Sequence, residues 1–302
     1  MAGQASVQLP AITLQHLSTA IQDVSGQPFV LAQQCTAGGG CIHQSLILSG
    51  RDGRRFFLKL NTPACAGLFA AEADGLVALA QSGAVRVPVP LAWGSDMHHA
   101  WLLLEYLELR PHGDATALGR SLAALHHQTG KTFGWHRDNV IGRTPQPNPR
   151  YSDWILFLRE HRLQWQLDLA QRNGADKTLL ESGAHLLDRL EDFFPGYTPI
   201  PSLLHGDLWS GNHAYVGQTP ALFDPAVYYG DREADLAMTE LFGGFSSGFY
   251  AAYHAAWPLD PGYEVRRNLY NLYHVLNHFN LFAGGYAAQA RRMITALLAE
   301  VR

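Results

Sequence analysis

The pattern of apolar residues changes near residue 105, and this change constrains the fold more than any other feature of the chain. Before it, short apolar runs alternate with turn residues and predict an antiparallel meander, followed by one helix and a buried strand at 100–109. After it, amphipathic helical patterns dominate, apart from a hairpin-like stretch at 202–224. The first predicted strands span 29–33, 44–48 and 56–60, and the predicted helices include 66–82, 115–128 and 152–170.

This order of elements predicts an α+β protein of two lobes, with ligands bound in the cleft between them. The expected boundaries are an N-terminal lobe at 1–104, a hinge at 105–108 and a C-terminal lobe at 109–302. The N-terminal lobe should hold an antiparallel sheet with one helix, and the C-terminal lobe should be mainly helical. Residues 144–149, which are rich in Pro and Asn, are expected to form a loop.

Composition argues against several classes of function. The chain has 302 residues, of which 47% are hydrophobic and 16% charged, and this suits a folded globular protein. Its net charge is −4 and it has no Lys/Arg run, so we expect no nucleic-acid partner. No apolar run approaches the roughly 20 residues that span a bilayer, so we expect no membrane partner. Three cysteines and the lack of a secretory leader favour the cytoplasm, and both a monomer and a dimer are left open.

The strongest chemical signal is the sequence HGDLWSGN at 205–212, with a further aspartate after the apolar pair Leu222-Phe223. Phosphoryl transfer needs a carboxylate to accept a hydroxyl proton and oxygen ligands for Mg²⁺ on the nucleotide phosphates. An Asp beside a Gly is more often a turn residue, but the whole constellation favours catalysis. The residues with the order and spacing of kinase-type sites are Asp207, Asn212 and Asp224.

A glycine-rich segment between two predicted strands could bind phosphate. Without side chains, backbone N–H groups can approach phosphate oxygens, although three glycines in this position are also typical of a plain flexible turn. The segment lacks the Gly-Lys-Ser/Thr ending of a P-loop ATPase. The candidate residues are Gly38, Gly39 and Gly40.

Lys59 lies within an apolar strand, where an unpaired ammonium group would be costly, so we expect it to have anionic partners. Glu72, on the following helix, is the predicted partner, because in kinases such an ion pair holds the lysine against the nucleotide phosphates. Asp74 is the rival carboxylate. It lies about 200° further around the helix, so only one of the two can face the strand.

Taken together, these residues resemble the fructosamine kinase family, also called ketosamine 3-kinases, within the protein-kinase-like and aminoglycoside-phosphotransferase-like fold. The resemblance extends through most of the chain. Its segments are GGGCIHQ at 38–44, FFLK at 56–59, HGDLWSGN at 205–212, FDPAVYYGDREADLAMTELFGGF at 223–245 and LYNLYHVLNHFNLFAGGY at 269–286.

The resemblance implies ATP- and Mg²⁺-dependent phosphorylation of the 3-hydroxyl of a ketosamine, either a free sugar adduct or one on a protein lysine. It implies that Asp207 is the catalytic base, that Asn212 and Asp224 bind the metal, and that Lys59 and Glu72 hold the phosphates. The backbone that would meet the adenine belongs to Glu105, Tyr106 and Leu107.

Several other residues carry narrower expectations. Trp209 and His278 are candidates for contact with the sugar or its aglycone, and Asp235 is expected to cap a helix and brace the catalytic loop. Relatives commonly have Asn where this chain has His43, so its phosphate contacts are expected to differ. Cys41 lies among N–H dipoles that would lower its pKa, so it is either a redox-sensitive thiol, able to link a dimer, or a small buried residue.

Three alternative functions remain open at this stage. The first is a phosphotransferase for an aminoglycoside, choline or another small alcohol. The second is a pseudokinase that binds nucleotides, although no catalytic residue is missing from the sequence. The third is a metallohydrolase built on His205, Asp207 and Asp224, which would need further ligands.

Overall fold

The N-terminal lobe of the computed structural model, which describes residues 8–38 and 43–301, is built on a five-stranded antiparallel sheet. The strand order β1-β2-β3-β5-β4 confirms the predicted meander. The first strand begins two residues later than predicted, since Phe29 packs its ring on Phe56 ahead of the paired segment. The strands are β1 Leu31–Thr36, β2 Gln44–Gly50, β3 Arg55–Asn61, β4 Pro90–Ser95 and β5 Ala100–Glu105.

Two helices cover opposite faces of this sheet. Helix α1, Ala11–Ser25, packs on one face with Trp101 and Leu103 of β5, and α2, Ala66–Gln81, packs on the other with Leu102 and Leu104. Because side chains alternate along a strand, β5 is buried on both faces, and this explains its unbroken apolar sequence. Lys59 on β3 lies between Leu58 and Leu60, which point to the α1 face, so its own side chain points towards α2.

The segment Pro63–Gln81, which ends with α2, is long and apolar enough to cross a membrane by length and composition alone, with a mean hydropathy of 1.3. It is an exception to the expectation from the sequence. Four of its side chains are nevertheless fully buried against the sheet, and Glu72 forms an ion pair within the protein. These contacts are those of a core helix. The four buried residues are Phe69, Ala73, Leu76 and Leu79.

The C-terminal lobe is mainly helical, as predicted, around a core that α9 crosses from end to end. The predicted helix at 152–170 is interrupted by a π-helical segment at Arg159–Gln164. The helices are α3 Ala115–His126, α4 Trp154–Leu158, α5 Trp165–Arg172, α6 Lys177–Asp188, α7 Glu233–Leu241, α8 Ser247–Ala256, α9 Tyr263–Phe282 and α10 Tyr286–Glu300.

Short strands support the loops of this lobe. The predicted hairpin at 202–224 is partly wrong, because its first strand, β9, pairs with β12 rather than with β11. The predicted loop at 144–149 begins with a strand, β8, which pairs with β7. Strand β6 pairs with β10 and not with the N-terminal sheet. The strands are β6 Leu109–Arg110, β7 Asn139–Ile141, β8 Thr144–Gln146, β9 Ser202–Leu204, β10 His213–Val216, β11 Thr219–Leu222 and β12 Tyr228–Gly230.

Candidate active site

Loop 205–212 connects β9 to β10 and carries Asp207. Gly206 has a φ of +82°, and a Cβ atom there would lie 2.1 Å from the carbonyl oxygen of Ala226, so this position requires glycine. The N–H group of Ala226 in turn donates to the carbonyl oxygen of His205 (2.8 Å). The loop is therefore fixed against the segment that follows β11.

The buried carboxylate of Asp235, on α7, braces this loop from behind. Its Oδ2 accepts a hydrogen bond from the N–H of His205 (2.7 Å), and its Oδ1 accepts one from the N–H of Gly206 (2.8 Å). Burial opposes ionisation, but the hydrogen bond with His126 and the backbone bonds keep the pKa of Asp235 below its ordinary value. The predicted bracing agrees with these contacts. The predicted helix cap is wrong, because α7 begins at Glu233 and this carboxylate is committed to the loop.

Asp207, Asn212 and Asp224 lie together beside this brace. The Asn212 amide donates to the carbonyl oxygen of Asp207 (2.8 Å), and its Nδ2 lies 3.3 Å from the Asp207 carboxylate and 3.5 Å from the carbonyl oxygen of Asp224. Burial first, and then the charges of Asp224 and Asp235, raise the pKa of Asp207 to about 7. A carboxyl group that can exchange a proton near neutral pH thus lies beside two other oxygen-bearing side chains.

Asp224 adopts a backbone conformation that few residues tolerate. Its φ is +57°, in the left-handed region, where Asp and Asn are the usual residues after glycine. Two amides from the β7–β8 hairpin hold the following backbone, since Asn139 donates to the carbonyl of Val227 (2.8 Å) and Gln146 to that of Ala226 (3.2 Å). Neither residue could be predicted from the sequence as part of the site, because the prolines around β8 indicated a loop.

Lys59 joins the two lobes across the cleft. Its ammonium lies 2.6 Å from Oδ1 of Asp224 and also forms an ion pair with Glu72, the carboxylate predicted from the sequence. Burial alone would lower the pKa of Lys59, but the charges of Asp224 and Glu72 outweigh it and raise that pKa. The Lys59 side chain is 7% exposed and that of Asp224 44%, so the ion pair opens to the cleft at the aspartate. The rival, Asp74, contacts Trp135 instead.

The predicted hinge lies where β5 ends. The N–H of Glu105 donates to the carbonyl oxygen of Val89 (2.9 Å), and its carboxylate pairs with Arg86, which the sequence analysis did not identify. The ring of Tyr106 lies under the guanidinium of Arg55 at 4.2 Å. Leu107 follows, between this sheet and β6. The adenine contact expected at Glu105, Tyr106 and Leu107 stays a prediction.

Most of the glycine segment lies outside the described residues, including the predicted Gly39, Gly40 and Cys41. Gly38 is described and has open space around its Cα. His43 lies on the far side of the segment, with its Nδ1 2.8 Å from the amide of Asn61. Burial and the nearby charge of Lys59 lower the pKa of His43 to about 4, so this ring is neutral at physiological pH.

An aromatic cluster borders loop 205–212 on the C-terminal lobe. Trp209 is 39% exposed and meets Phe242 edge-on, with ring centroids 6.4 Å apart. Phe242 also lies 4.8 Å from the ring of His278, which contacts Phe282 and Tyr286. The two residues expected to meet the substrate are thus linked through Phe242. Of its other members, Phe242 lies in the segment 223–245 that carries the family resemblance, and Phe282 and Tyr286 lie in the aromatic-rich segment 269–286.

No group of three or more His, Cys, Asp or Glu side chains able to hold a metal ion occurs within residues 8–38 and 43–301. The metallohydrolase alternative, which needed further ligands around His205, therefore has no support in the described part of the chain. His274 and His278 follow each other on α9, and Nδ1 of His278 is 2.8 Å from the carbonyl oxygen of His274. This contact lies within α9 and joins two successive turns of the helix.

Comparison with known proteins gives consistent matches over most of the chain. The fructosamine kinase family model matches residues 13–300. A probable ketoamine kinase from Synechocystis is 45% identical over 288 residues, which cover 94% of this chain and 96% of that protein. A chloroplastic protein-ribulosamine 3-kinase from Oryza sativa subsp. japonica is 40% identical, over 85% of this chain and 76% of that protein.

Solved structures show the same relationship. A crystal structure assigned as a fructosamine-3-kinase from Haemophilus somnus has a TM-score of 0.86 and 28% identity, covering 93% of this chain and 96% of that one. A macrolide 2′-phosphotransferase of type I has a TM-score of 0.57 and 15% identity, with 98% of both chains covered. The second likeness shows a shared fold only, and that fold is the one predicted from the sequence.

Proposed function

This chain belongs to the fructosamine kinase family, and on that premise we propose that it transfers the γ-phosphoryl group of ATP to the 3-hydroxyl of a ketosamine. The observation that carries the proposal is the meeting of four side chains from both lobes at one cleft. The four residues are Lys59, Asp207, Asn212 and Asp224.

In this mechanism Asp207 accepts the proton of the attacking hydroxyl group. Its pKa of about 7 suits a general base that operates near neutral pH. Loop 205–212 is fixed on one side by Asp235 and on the other by Ala226, so the carboxylate is held in place before the substrate arrives. Such preorganisation lowers the entropy lost on the way to the transition state.

Lys59 and Glu72 would position the nucleotide phosphates, with the ammonium offsetting their negative charge. Asn212 and Asp224 offer amide and carboxylate oxygens, which are the hard donors that Mg²⁺ prefers, and the carboxylate opens to the cleft. Mg²⁺ bound there would neutralise charge on the phosphates during transfer. The backbone of Glu105, Tyr106 and Leu107 would contact the adenine.

The aromatic cluster at Trp209, Phe242 and His278 favours a ketosamine over a polycationic acceptor. Aromatic faces pack against the apolar faces of sugars and against aglycones, whereas aminoglycosides usually call for acidic clefts. Glu240, on the same helix as the brace, is already paired with Arg267. We propose ribulosamines or fructosamines as substrates, either free or on protein lysines, in the repair of glycated amines in the cytoplasm.

The test is ATP consumption with Mg²⁺ over an acceptor panel of ribuloselysine, fructoselysine, one aminoglycoside and choline. We expect turnover with the ketosamines, and a loss of about 10²- to 10⁴-fold in Asp207→Asn, the range for removing a general base. The matched control is Asp188→Asn at an exposed position on α6. Turnover with only the aminoglycoside or choline would contradict the substrate, and an active Asp207→Asn variant would contradict the role of the base.

A further inference from the structure

Helix α2 presents two acidic side chains to two different lobes. Glu72 pairs with Lys59 in the N-terminal sheet, while Oδ2 of Asp74 accepts a hydrogen bond from Nε1 of Trp135 (3.0 Å). The same Oδ2 lies 2.9 Å from Nε2 of His136. Trp135 and His136 both belong to the C-terminal lobe. The helix that carries Glu72 is therefore tied to the lobe opposite its own sheet.

The donors to Asp74 come from a rigid part of that lobe. Gly134 and Tyr229 exchange two backbone hydrogen bonds of 2.9 Å, which attach the segment before Trp135 to β12. The Trp135 ring also packs on that of Tyr229, with centroids 5.4 Å apart. Since β12 follows the Asp224 segment directly, the position of Asp74 is set by the same scaffold that sets Asp224.

Close packing accompanies the polar contact. A Cβ atom on Gly75 would lie 3.0 Å from Cγ2 of Val227, so the absence of a side chain lets α2 approach the C-terminal lobe. One turn earlier, Arg137 reaches the carbonyl oxygen of Ala70 at 3.4 Å. Asp74 thus belongs to a contact that spans about one and a half turns of the helix, from Ala70 to Gly75.

The bond from Trp135 is the stronger of the two contacts to Asp74. The Asp74 and His136 side chains are 30% and 47% exposed, and ion pairs with such exposure contribute little to stability. The indole N–H instead donates to a charged acceptor from a ring that is packed on Tyr229. Hydrogen bonds to charged groups are worth more than neutral ones, which gives this contact enough energy to bias the position of α2.

We propose that Asp74 is a positioning residue for the phosphoryl-transfer site. It holds α2 against the C-terminal lobe through Trp135 and so keeps Glu72 in reach of Lys59. The purpose of that ion pair rests on the function proposed above. Asp74 itself contacts neither nucleotide nor acceptor, and its effect passes entirely through Glu72.

The test combines nucleotide binding with kinetics in Asp74→Ala, Asp74→Asn and Trp135→Phe. We expect Asp74→Ala to lower kcat/KM for ATP about tenfold, the equivalent of one lost hydrogen bond to a charged group. Asp74→Asn should stay within about threefold of the wild type, because its amide oxygen still accepts from the indole. Trp135→Phe keeps an aromatic ring but removes the pyrrole half of the indole together with its N–H, so it should show a loss at least as large as that of Asp74→Ala. The matched control is Asp23→Ala, at an exposed position on α1.

A double variant separates positioning from simple destabilisation. If Asp74 acts through Glu72, then adding Asp74→Ala to Glu72→Gln should cost little more than Glu72→Gln alone. Losses that multiply, or an Asp74→Ala variant with wild-type kinetics, would overturn the proposal. If Asp74→Ala unfolds, Trp135→Phe decides in its place. A wild-type protein that binds ATP without phosphorylating ketosamines would contradict the proposed function, while the nucleotide affinities of the variants would still test the role of Asp74.

Discussion

Two buried cations in this protein, Lys59 and Arg266, are each paired with two carboxylates, yet the two sites differ in the location of the partners and in the geometry of the contacts. The partners of Lys59 come from both lobes, whereas those of Arg266, Glu233 and Asp260, belong to the C-terminal lobe alone. Lys59 holds its partners through one compact ammonium group that can rotate. Arg266 uses a planar fork, with Nε 2.7 Å and Nη2 3.0 Å from the Glu233 carboxylate.

The two cations also differ in how far their neighbours enclose them. The Arg266 guanidinium lies 3.9 Å from the ring centroid of Tyr197 and donates to the carbonyl oxygen of Phe193, so its geometry is fixed on several sides. The Lys59 pair ends on Asp224, whose side chain opens to the cleft. The Lys59 ammonium can exchange the open Asp224 carboxylate for a phosphate, whereas Arg266 and Glu233 are both buried away from any ligand. The first pair therefore suits catalysis and the second suits stability.

The largest expected effect comes from Lys59→Met. We expect kcat/KM to fall on the order of 10³-fold, as when one preorganised charge is removed from a transition state. Stability should change by only about 1 kcal/mol, because Asp224 opens to solvent and Glu72, whose pKa burial already raises, can take up a proton. Steady-state kinetics and urea unfolding measure the two quantities, with the exposed Lys131→Met as control. A Lys59→Met variant within tenfold of the wild type would show that the comparison is mistaken.

Arg266→Met should instead lower stability and leave turnover nearly unchanged. It leaves Glu233 buried without its cation, which costs on the order of 3 kcal/mol of unfolding free energy. This loss is modest for a broken buried ion pair, because burial already raises the pKa of Glu233 to about 7 and the carboxyl group can take up a proton. Turnover per folded molecule should stay near that of the wild type.

A second substitution tests the cause of this loss. In Arg266→Met with Glu233→Met both buried charges are removed and only Asp260, whose side chain is 33% exposed, loses its partner, so part of the lost stability should return in urea unfolding. If the single and double variants were equally unstable, the contacts of the Arg266 guanidinium would stabilise the lobe by themselves, and the unpaired charge of Glu233 would not be the cause of the loss.

The two pairs also differ in how well the sequence predicts them. Lys59 could be identified because a single lysine interrupts an apolar strand, and Glu72 was chosen as its partner because kinases pair such a lysine with a helix glutamate. Arg266 lies on an amphipathic helix among other polar residues, and Glu233 is distant in sequence, so nothing local distinguishes it from a solvated residue. The hydrogen bond between Asp74 and Trp135 could not be predicted for the same reason, since contacts between distant segments leave no periodic signal in the sequence.

The fold shows the same division between local and distant information. The meander and most helices were predicted from periodicity, which depends only on neighbouring residues. Strand β8 was not predicted, because Pro145 and Pro147 suggested a loop, although a short hairpin strand needs few N–H donors. The pairing of β9 with β12 could not be predicted, because apolar runs do not specify which partner they choose.

His274 extends the comparison: it lies on α9 two turns beyond Arg266, is buried, and forms no ion pair with any carboxylate in the described part of the chain. Burial first, and then the neighbouring His278, lower the pKa of His274 to about 3. Below pH 6.5 the unfolded chain binds a proton there and the folded protein does not, so stability falls as the pH falls towards 3. Between pH 7.5 and 5.5 this residue alone should remove about 1 kcal/mol of unfolding free energy.

His274→Gln should therefore show a flatter dependence of stability on pH over that range. The expected difference appears in urea unfolding at the two pH values, with the exposed His98→Gln as control, for which the slope should match the wild type. An unchanged slope in His274→Gln would mean that the ring is protonated in the folded protein and has found a partner for its charge.

The smallest effect is expected where an ion pair is fully at the surface. Lys177 and Glu181 lie one turn apart on α6, 3.2 Å from each other, with side chains 87% and 65% exposed. Water solvates both charges equally well in the folded and unfolded chain, so Lys177→Ala should alter the unfolding free energy by about 0.5 kcal/mol or less.

Asp176, the residue before Lys177, caps the same helix by accepting from the N–H of Leu179 (2.9 Å), so Asp176→Ala should cost about 1 kcal/mol. If Lys177→Ala proved the more damaging in thermal and urea unfolding, exposure would not be what separates the charge pairs of this protein.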